Sequence, residues 1–390
     1  MFDLKKIKKK IKRSIIKVKQ DKKTLHNIDV SKKYVAENFK FNFKNNILSD
    51  TGINRIFTFV DNLEKEANNH KKNKDMWNNI TSHRDHNNLI SSCLKKDKEN
   101  FLKILSSLGK TKLIHGFLMY STYNKLFKSN NERNKEALQL LDKLISLAEY
   151  RKKIKVFNPE QGGWIAENLD YQNLIEKIFT FEKNEIKPYR SPNFTFGIES
   201  KKNFYCMKDF IMLYTALKLD QFSKKNKLKE VCEIGAGLGF TAHYFNQLNK
   251  CKYNIYDLPS ILILQAYFLM SSIGEDKIHL SGENENIKAQ INLYPFWEMF
   301  NKKNQDEILW YNQDALPEID FLLAEKYIKK ILSSKNSYFF SVNQEARNYA
   351  VGKNQHTVYD LLEKEKGHEL INRSRDFFRT GYIEELYSIN

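Results

Sequence analysis

Three glycines at alternate positions, Gly235, Gly237 and Gly239, follow directly on an apolar run over residues 228–234, and a helical stretch follows them. Glycine adopts backbone dihedrals closed to other residues and lets the main chain touch a ligand. The run therefore reads as a buried strand that turns sharply into a helix. Downstream, short apolar segments at 252–256, 277–280, 307–311, 337–342, 369–372 and 383–389 alternate with helical ones, among them a long apolar stretch at 261–273. This alternation predicts an α/β fold in which a mainly parallel, seven-stranded Rossmann-type sheet is covered on both faces. Ligands of such sheets sit beyond the carboxyl ends of the strands, near the point where strand order reverses.

The loop discriminates among ligands. A dinucleotide fingerprint needs a small third residue where Phe240 stands, and a phosphate-binding loop needs a Gly-Lys-Ser/Thr ending that is absent. Glu233, two residues before Gly235, sets a carboxylate beside the loop, which suits a cation rather than a phosphate. S-adenosylmethionine carries an ammonium group and no phosphate, and it is the expected cofactor. Asp257, in Tyr256-Asp257-Leu258-Pro259 at the end of the second strand, stands where a ribose-binding acid is needed. Its carboxylate can accept from both ribose hydroxyls, and it equally suits the start of a helix with Pro259 at its first position. The expected cofactor-binding set is Glu233, Gly235, Gly237, Gly239 and Asp257.

The first half of the chain differs in kind. Residues 1–24 read as a basic amphipathic helix, with Leu4, Ile7, Ile11, Ile15 and Val18 on one stripe among many lysines. Such a helix suits an anionic membrane surface, the body of the protein or, as a third reading, nucleic acid. Residues 25–190 read as mostly helical, with stripes at 101–108 and 137–150, a polar break at 129–134 and a turn at Gly162-Gly163-Trp164. Pro188, Ser191 and Pro192 mark the boundary before a methyl-transfer domain at 191–390. The net charge of +18 fits an anionic partner or a lysine-rich composition alone. With 41% hydrophobic and 29% charged residues the chain is not disordered. No apolar run approaches the roughly 20 residues that span a bilayer, so a cytoplasmic protein is expected, with a peripheral contact to the inner membrane face through the first helix. Cys93, Cys206, Cys232 and Cys251 form no CxxC pair, which argues against a zinc site, and Cys232 reads as an apolar filler in its strand.

The segment Glu233-Ile234-Gly235-Ala236-Gly237-Leu238-Gly239, followed by Tyr256-Asp257-Leu258-Pro259 and Leu264-Gln265-Ala266-Tyr267-Phe268-Leu269, resembles the sugar O-methyltransferase family of bacterial surface-polysaccharide gene clusters. Asn312-Gln313-Asp314-Ala315-Leu316-Pro317-Glu318-Ile319 and Arg379-Thr380-Gly381-Tyr382-Ile383-Glu384-Glu385-Leu386-Tyr387 are similar to later segments of that family, with Ala315 and Ile319 where its pattern has Ser and Met. The likeness covers residues 200–390. It implies a class I methyltransferase fold and methyl transfer to a sugar hydroxyl of a surface glycan or its precursor, a sugar nucleotide included. Asp-Leu-Pro is also similar to plant-type small-molecule O-methyltransferases. A nucleic-acid methyltransferase would carry an Asn/Asp-Pro-Pro-aromatic turn where Asn312-Gln313-Asp314-Ala315 stands, so nucleic acid is not the expected substrate. A non-catalytic assembly factor would not need the glycine loop with its two acids.

Methyl transfer from a sulfonium is an in-line displacement in which positioning supplies much of the rate. A general base for the hydroxyl would add roughly 10²–10⁴-fold. The candidates are Asp314 and Glu318, beyond the fourth strand, and His356, after the fifth. Asp314 also suits a helix cap and Glu318 the first turn of that helix. Asn312 and Asn343 end neighbouring strands and are candidate sugar ligands, or turn closers. Trp310 reads as core, and no tight metal-ligand cluster is expected.

Overall fold

The computed structural model describes residues 48–67, 81–108, 111–114, 130–155, 170–189, 197–201, 203–302, 306–345 and 356–390. The basic segment 1–24 and the Gly162-Gly163-Trp164 turn lie outside these residues. Helices come first along the chain: α1 (Asp50–Ala67), α2 (Arg84–Leu94), α3 (Lys98–Ser106), α4 (Asn130–Tyr150) and α5 (Tyr171–Ile178). Their starts use the expected chemistry, since His83, Asp97 and Asp170 accept backbone N–H groups at the heads of α2, α3 and α5. Of the polar break expected at 129–134, residues 130–134 lie in α4, and residue 129 lies outside the described residues. Polar residues that look like a loop are also those favoured where helical N–H groups lack partners.

Two short hairpins follow, β1 (Thr180–Phe181) with β2 (Asn184–Glu185), and β3 (Ile198–Ser200) with β4 (Asn203–Tyr205). Next come α6 (Met207–Asn226), β5 (Glu230–Ile234), α7 (Phe240–Leu248), β6 (Lys252–Asp257), α8 (Pro259–Ile273), β7 (Ile278–Leu280) and β8 (Ile291–Pro295). The chain closes with α9 (Glu298–Asn301), β9 (Ile308–Gln313), α10 (Phe321–Leu332), β10 (Ser337–Gln344), α11 (Val358–Leu362), β11 (His368–Arg375) and β12 (Tyr382–Ile389).

Among the described residues, eight strands make one sheet in the order β11-β12-β10-β9-β5-β6-β8-β7. Pairing is parallel from β10 across to β7, and β12 runs against both its neighbours. From β5 the chain moves to β6 on one side, and from β9 to β10 on the other, so strand order reverses between β5 and β9. This is the Rossmann-type class I methyltransferase architecture that the sequence leads one to expect, with one correction. The sheet has eight strands rather than seven, because β8 inserts between β6 and β7. It is five residues long, ends on Pro295 and buries Ile291, Leu293 and Pro295 on alternate positions. A strand-ending proline forfeits no ladder bond it needs, but it makes so short a segment look like a turn.

The helix α6 enters on a capping box in which Cys206 N donates to Asp209 Oδ2 at 2.7 Å. One face of the sheet, with Val231, Tyr253, Ile255, Leu309 and Tyr311, packs beneath α6, α7 and α8. The other, with Cys232, Ile234, Trp310 and Phe339, packs beneath α10 and α11. A helix apolar all round must be covered all round, and α8 is: its outer side is sheathed by α1 and α2. Arg55 on α1 clasps the sheet edge. Its Nε and Nη2 donate to the Glu283 carboxylate at 2.6 and 2.8 Å, and its Nη1 and Nη2 donate to the Glu275 and Ile278 carbonyls at 2.8 Å. No helix among the described residues is long and apolar enough to cross a membrane.

Candidate functional site

The carboxyl edge of β5 is built from backbone geometry. Gly235, Gly237 and Gly239 have φ of 71°, 60° and 80°, a region that costs other residues roughly 1–2 kcal/mol. At Gly235 space is also denied, since an added Cβ would lie 2.5 Å from the Ala315 Cβ. Gly239 is the N-cap of α7, and an added Cβ there would press on Leu269 at 3.1 Å. Tyr189 braces the loop from outside, its hydroxyl donating to the Leu238 carbonyl at 2.7 Å and its ring edge-on to Phe240.

Asp257 is buried at the end of β6 and does not cap α8, whose N-cap is Leu258 without a side-chain bond. It ties the loop to that helix instead. Asp257 Oδ2 accepts from Gly237 N at 3.2 Å and from Gln265 Nε2 at 2.7 Å, and Oδ1 accepts from Leu258 N at 2.7 Å. Gln265 Nε2 also donates to the Gly237 carbonyl at 2.7 Å, while its Oε1 is buried with no donor. Gln265 is not among the expected cofactor-binding residues, although it stands in the 264–269 segment that carries the resemblance and is the one amide side chain of a largely apolar helix. Burial pushes the Asp257 carboxyl up to about 7 against the pull of these donors. Glu233 is buried on β5 and accepts from the Tyr253 hydroxyl at 2.7 Å. Burial raises its carboxyl to about 8, with Asp257 adding to the shift.

The neighbouring strand ends hold the other candidates. Asn312 is fully buried. Its Nδ2 donates to the Ile234 carbonyl at 2.7 Å, and its Oδ1 accepts from Leu316 N and from Asn343 Nδ2 at 3.2 and 2.9 Å. It stitches β9 to the end of β5. Asn343 Nδ2 also donates to Ser341 Oγ at 2.8 Å, and its buried Oδ1 has no donor.

Asp314 follows β9 in a left-handed conformation, φ 63°. Both its carboxylate oxygens accept from Arg379 Nη1 at 2.7 Å. Arg379 leans 3.7 Å above the Tyr382 ring and its Nε and Nη2 reach Asp376 at 3.4 Å. The two late segments picked out in the sequence thus meet in one ion pair. The helix cap expected of Asp314 falls to Asp320, whose Oδ1 accepts from Leu322 N and Leu323 N at the head of α10. Pro317 closes a 3-10 turn, Leu316–Glu318, ahead of that helix, so Glu318 precedes α10 rather than opening it. Glu318 is half-buried, and its charge acts on Lys208 and Tyr382. His356 is buried edge-on to Phe321 at 5.4 Å, on the α10 side of the sheet. Lys208 went unremarked in the sequence. Burial lowers its ammonium from the ordinary range, Asp314 acts to raise it and Arg379 to lower it.

Trp310 is core, with Nε1 donating to Ser334 Oγ at 3.0 Å. Cys232 is buried in β5 as expected. No group of three or more metal-ligating side chains occurs among the described residues.

No family model and no curated protein matches the chain. Among solved structures, it is similar to the mitomycin 7-O-methyltransferase at 12% identity over 47% of this chain and 57% of that one, TM-score 0.35. It is also similar to the magnesium protoporphyrin IX methyltransferase of Synechocystis with S-adenosylmethionine bound, at 15% identity over 47% and 83%, TM-score 0.34. A third likeness is to human N-acetylserotonin methyltransferase, at 11% identity over 46% and 56%, TM-score 0.29. The chain thus spans little more than half the length of the first and third of these.

Proposed function

We propose that the chain is an S-adenosylmethionine-dependent O-methyltransferase acting on a sugar hydroxyl of a surface glycan or its precursor. The observation that carries the cofactor is the loop itself: three left-handed glycines at the end of β5, one of them bonded to an acid at the end of β6. The residues fit that ligand. Gly235 packs on Ala315 and Gly239 on Leu269, which draws the loop close to the end of β9 and to α8, and no lysine or arginine stands at 233–241 to recognise a phosphate. The free Gln265 oxygen and the remaining acceptor capacity of Asp257 suit ribose hydroxyls. The acceptor class follows from the resemblance, and its support is that the two segments carrying it adjoin at Asp314 and Arg379.

When bound, the cofactor supplies a methyl group on a cationic sulfur. The chain must bring a hydroxyl oxygen in line with that methyl and remove its proton. Asp314 is committed on both oxygens to Arg379 and serves to hold the last hairpin over the site. His356 lies against the opposite helix layer. Glu318, half-exposed on the turn beyond β9, is the assigned base.

The test incubates purified protein with labelled S-adenosylmethionine and fractionated surface glycans, nucleotide sugars and RNA. Label in a base-stable sugar ether is the expected product; label in RNA alone would overturn the reading. Glu318→Gln should lower the transfer rate by about 10²-fold or more with cofactor affinity unchanged. Wild-type turnover in that variant, with His356→Ala inactive, would move the base to His356.

A further inference from the structure

We infer that Lys208 binds the α-carboxylate of the cofactor, an assignment that rests on the S-adenosylmethionine reading above. Lys208 is the second residue of α6, the helix leading into β5. A helix that precedes a strand and packs along it begins at the strand's far end, so Lys208 stands at the carboxyl edge of the sheet. It shares a helix face with Met212 and Thr215, at steps of four and three.

The contacts of those two residues fix where that face looks. Thr241 Oγ1, in the first turn after the glycine loop, donates to Met212 Sδ at 3.3 Å. Thr215 Oγ1 donates to Gln313 Oε1, at the end of β9, also at 3.3 Å. Lys208 lies about 10 Å further along the helix axis than Thr215. It therefore overhangs the ground between the glycine loop and the end of β9, where strand order reverses.

The charges around it leave room for an anion. Asp314 and Arg379 act on Lys208 with opposite signs, and each already has a partner, Asp314 in Arg379 Nη1 and Arg379 in Asp314 and Asp376; Glu318 acts more weakly. Among the described residues, no acceptor lies within hydrogen-bonding distance of the Lys208 ammonium. A half-buried ammonium without an acceptor is costly, and here it stands at the positive end of a 20-residue helix. On the same side, Gln313 is 6% exposed, and its Nε2 has no acceptor. The cofactor's amino-acid end carries one carboxylate. The loop and the β6 end offer acids, Glu233 and Asp257, but no cation, so the donors for that carboxylate come from α6 and β9.

Calorimetric titration of the full chain with two probes tests this. S-adenosylhomocysteine has the carboxylate, and methylthioadenosine lacks the whole amino-acid end. Lys208→Met is expected to weaken S-adenosylhomocysteine by about 10- to 100-fold, the worth of one charge-assisted hydrogen bond. Methylthioadenosine affinity should stay unchanged, which also reports an intact fold, and Lys208→Arg should retain most of the S-adenosylhomocysteine affinity. Lys208→Gln repeats the comparison with a shorter neutral side chain. Equal weakening of both probes, or of neither, would overturn the assignment. A wild-type chain that binds neither probe would overturn the cofactor reading and this inference with it.

Discussion

At the scale of single residues, the site is governed by what is denied to a side chain and what is denied to a charge. Gly235 shows the first. Its φ of 71° and the Ala315 methyl in the place of its own Cβ act together. Gly235→Ala should therefore destabilise the chain by about 1–3 kcal/mol. Adding Ala315→Gly should recover the steric part and leave the backbone part, as read from denaturant midpoints. If the second change recovers nothing, the two positions do not touch in solution. Asp257 and Glu233 show the second. Burial holds their carboxyls near 7 and 8, whereas the unfolded chain releases those protons near pH 4. Between these limits the folded state binds more protons than the unfolded one, so stability falls as pH rises from about 4 through 8. Without cofactor, the denaturation midpoint should be lower at about pH 8.5 than at about pH 5.5, and Asp257→Asn should flatten the slope. A wild-type profile that rises with pH over this window would refute the burial argument.

At the scale of elements, legibility tracks how local the cause is. The glycine loop, the α8 start at Pro259 and the β5 burial of Cys232 follow from neighbouring residues, and the sequence displays them. The Asp314–Arg379 pair does not, because it spans 65 positions and depends on β12 running antiparallel beside β10. Neither does the role of Asn312, whose partners lie on β5 and β10 and appear only once the strands are in register. The strand β8 hid behind its proline, and Lys208 behind an unremarkable position near a helix start. The fit of α1 is likewise invisible until the sheet edge exists. Arg55 there makes two bonds to a carboxylate and two to carbonyls. Arg55→Ala should cost roughly 2–3 kcal/mol, because it strands those acceptors. A melting temperature equal to wild type would show that the Arg55 bonds add nothing to the hold on α1.

At the scale of the molecule, the larger of the two apolar clusters among the described residues runs from Leu48, ahead of α1, to Phe378, between β11 and β12. The sequence places a domain boundary near residue 190, and the packing allows a direct test of whether residues 191–390 stand alone. Without α1 and α2 the outer side of α8 would face water as a contiguous patch, and patches of that kind drive association. Residues 191–390 expressed alone are expected to aggregate, whereas residues 48–390 stay soluble. Dispersed amide resonances from the shorter piece would show that the helices are an accessory. The basic segment 1–24 remains a proposal for an anionic membrane surface, and vesicle co-sedimentation that disappears at high salt is its signature.

The clasp of α1 on the sheet edge also sets a timetable. Ser49, Arg55 and Glu66 bind partners 226, 228 and 231 residues further on. At synthesis rates of about 5–20 residues per second, those partners leave the ribosome roughly 10–50 seconds after α1 does. During that interval Ile53, Ile56, Phe57 and Val60, all buried in the finished protein, have neither α8 nor the sheet edge to pack on. The nascent chain thus carries an apolar helix face in waiting, a ready site for a chaperone that binds extended or helical apolar segments.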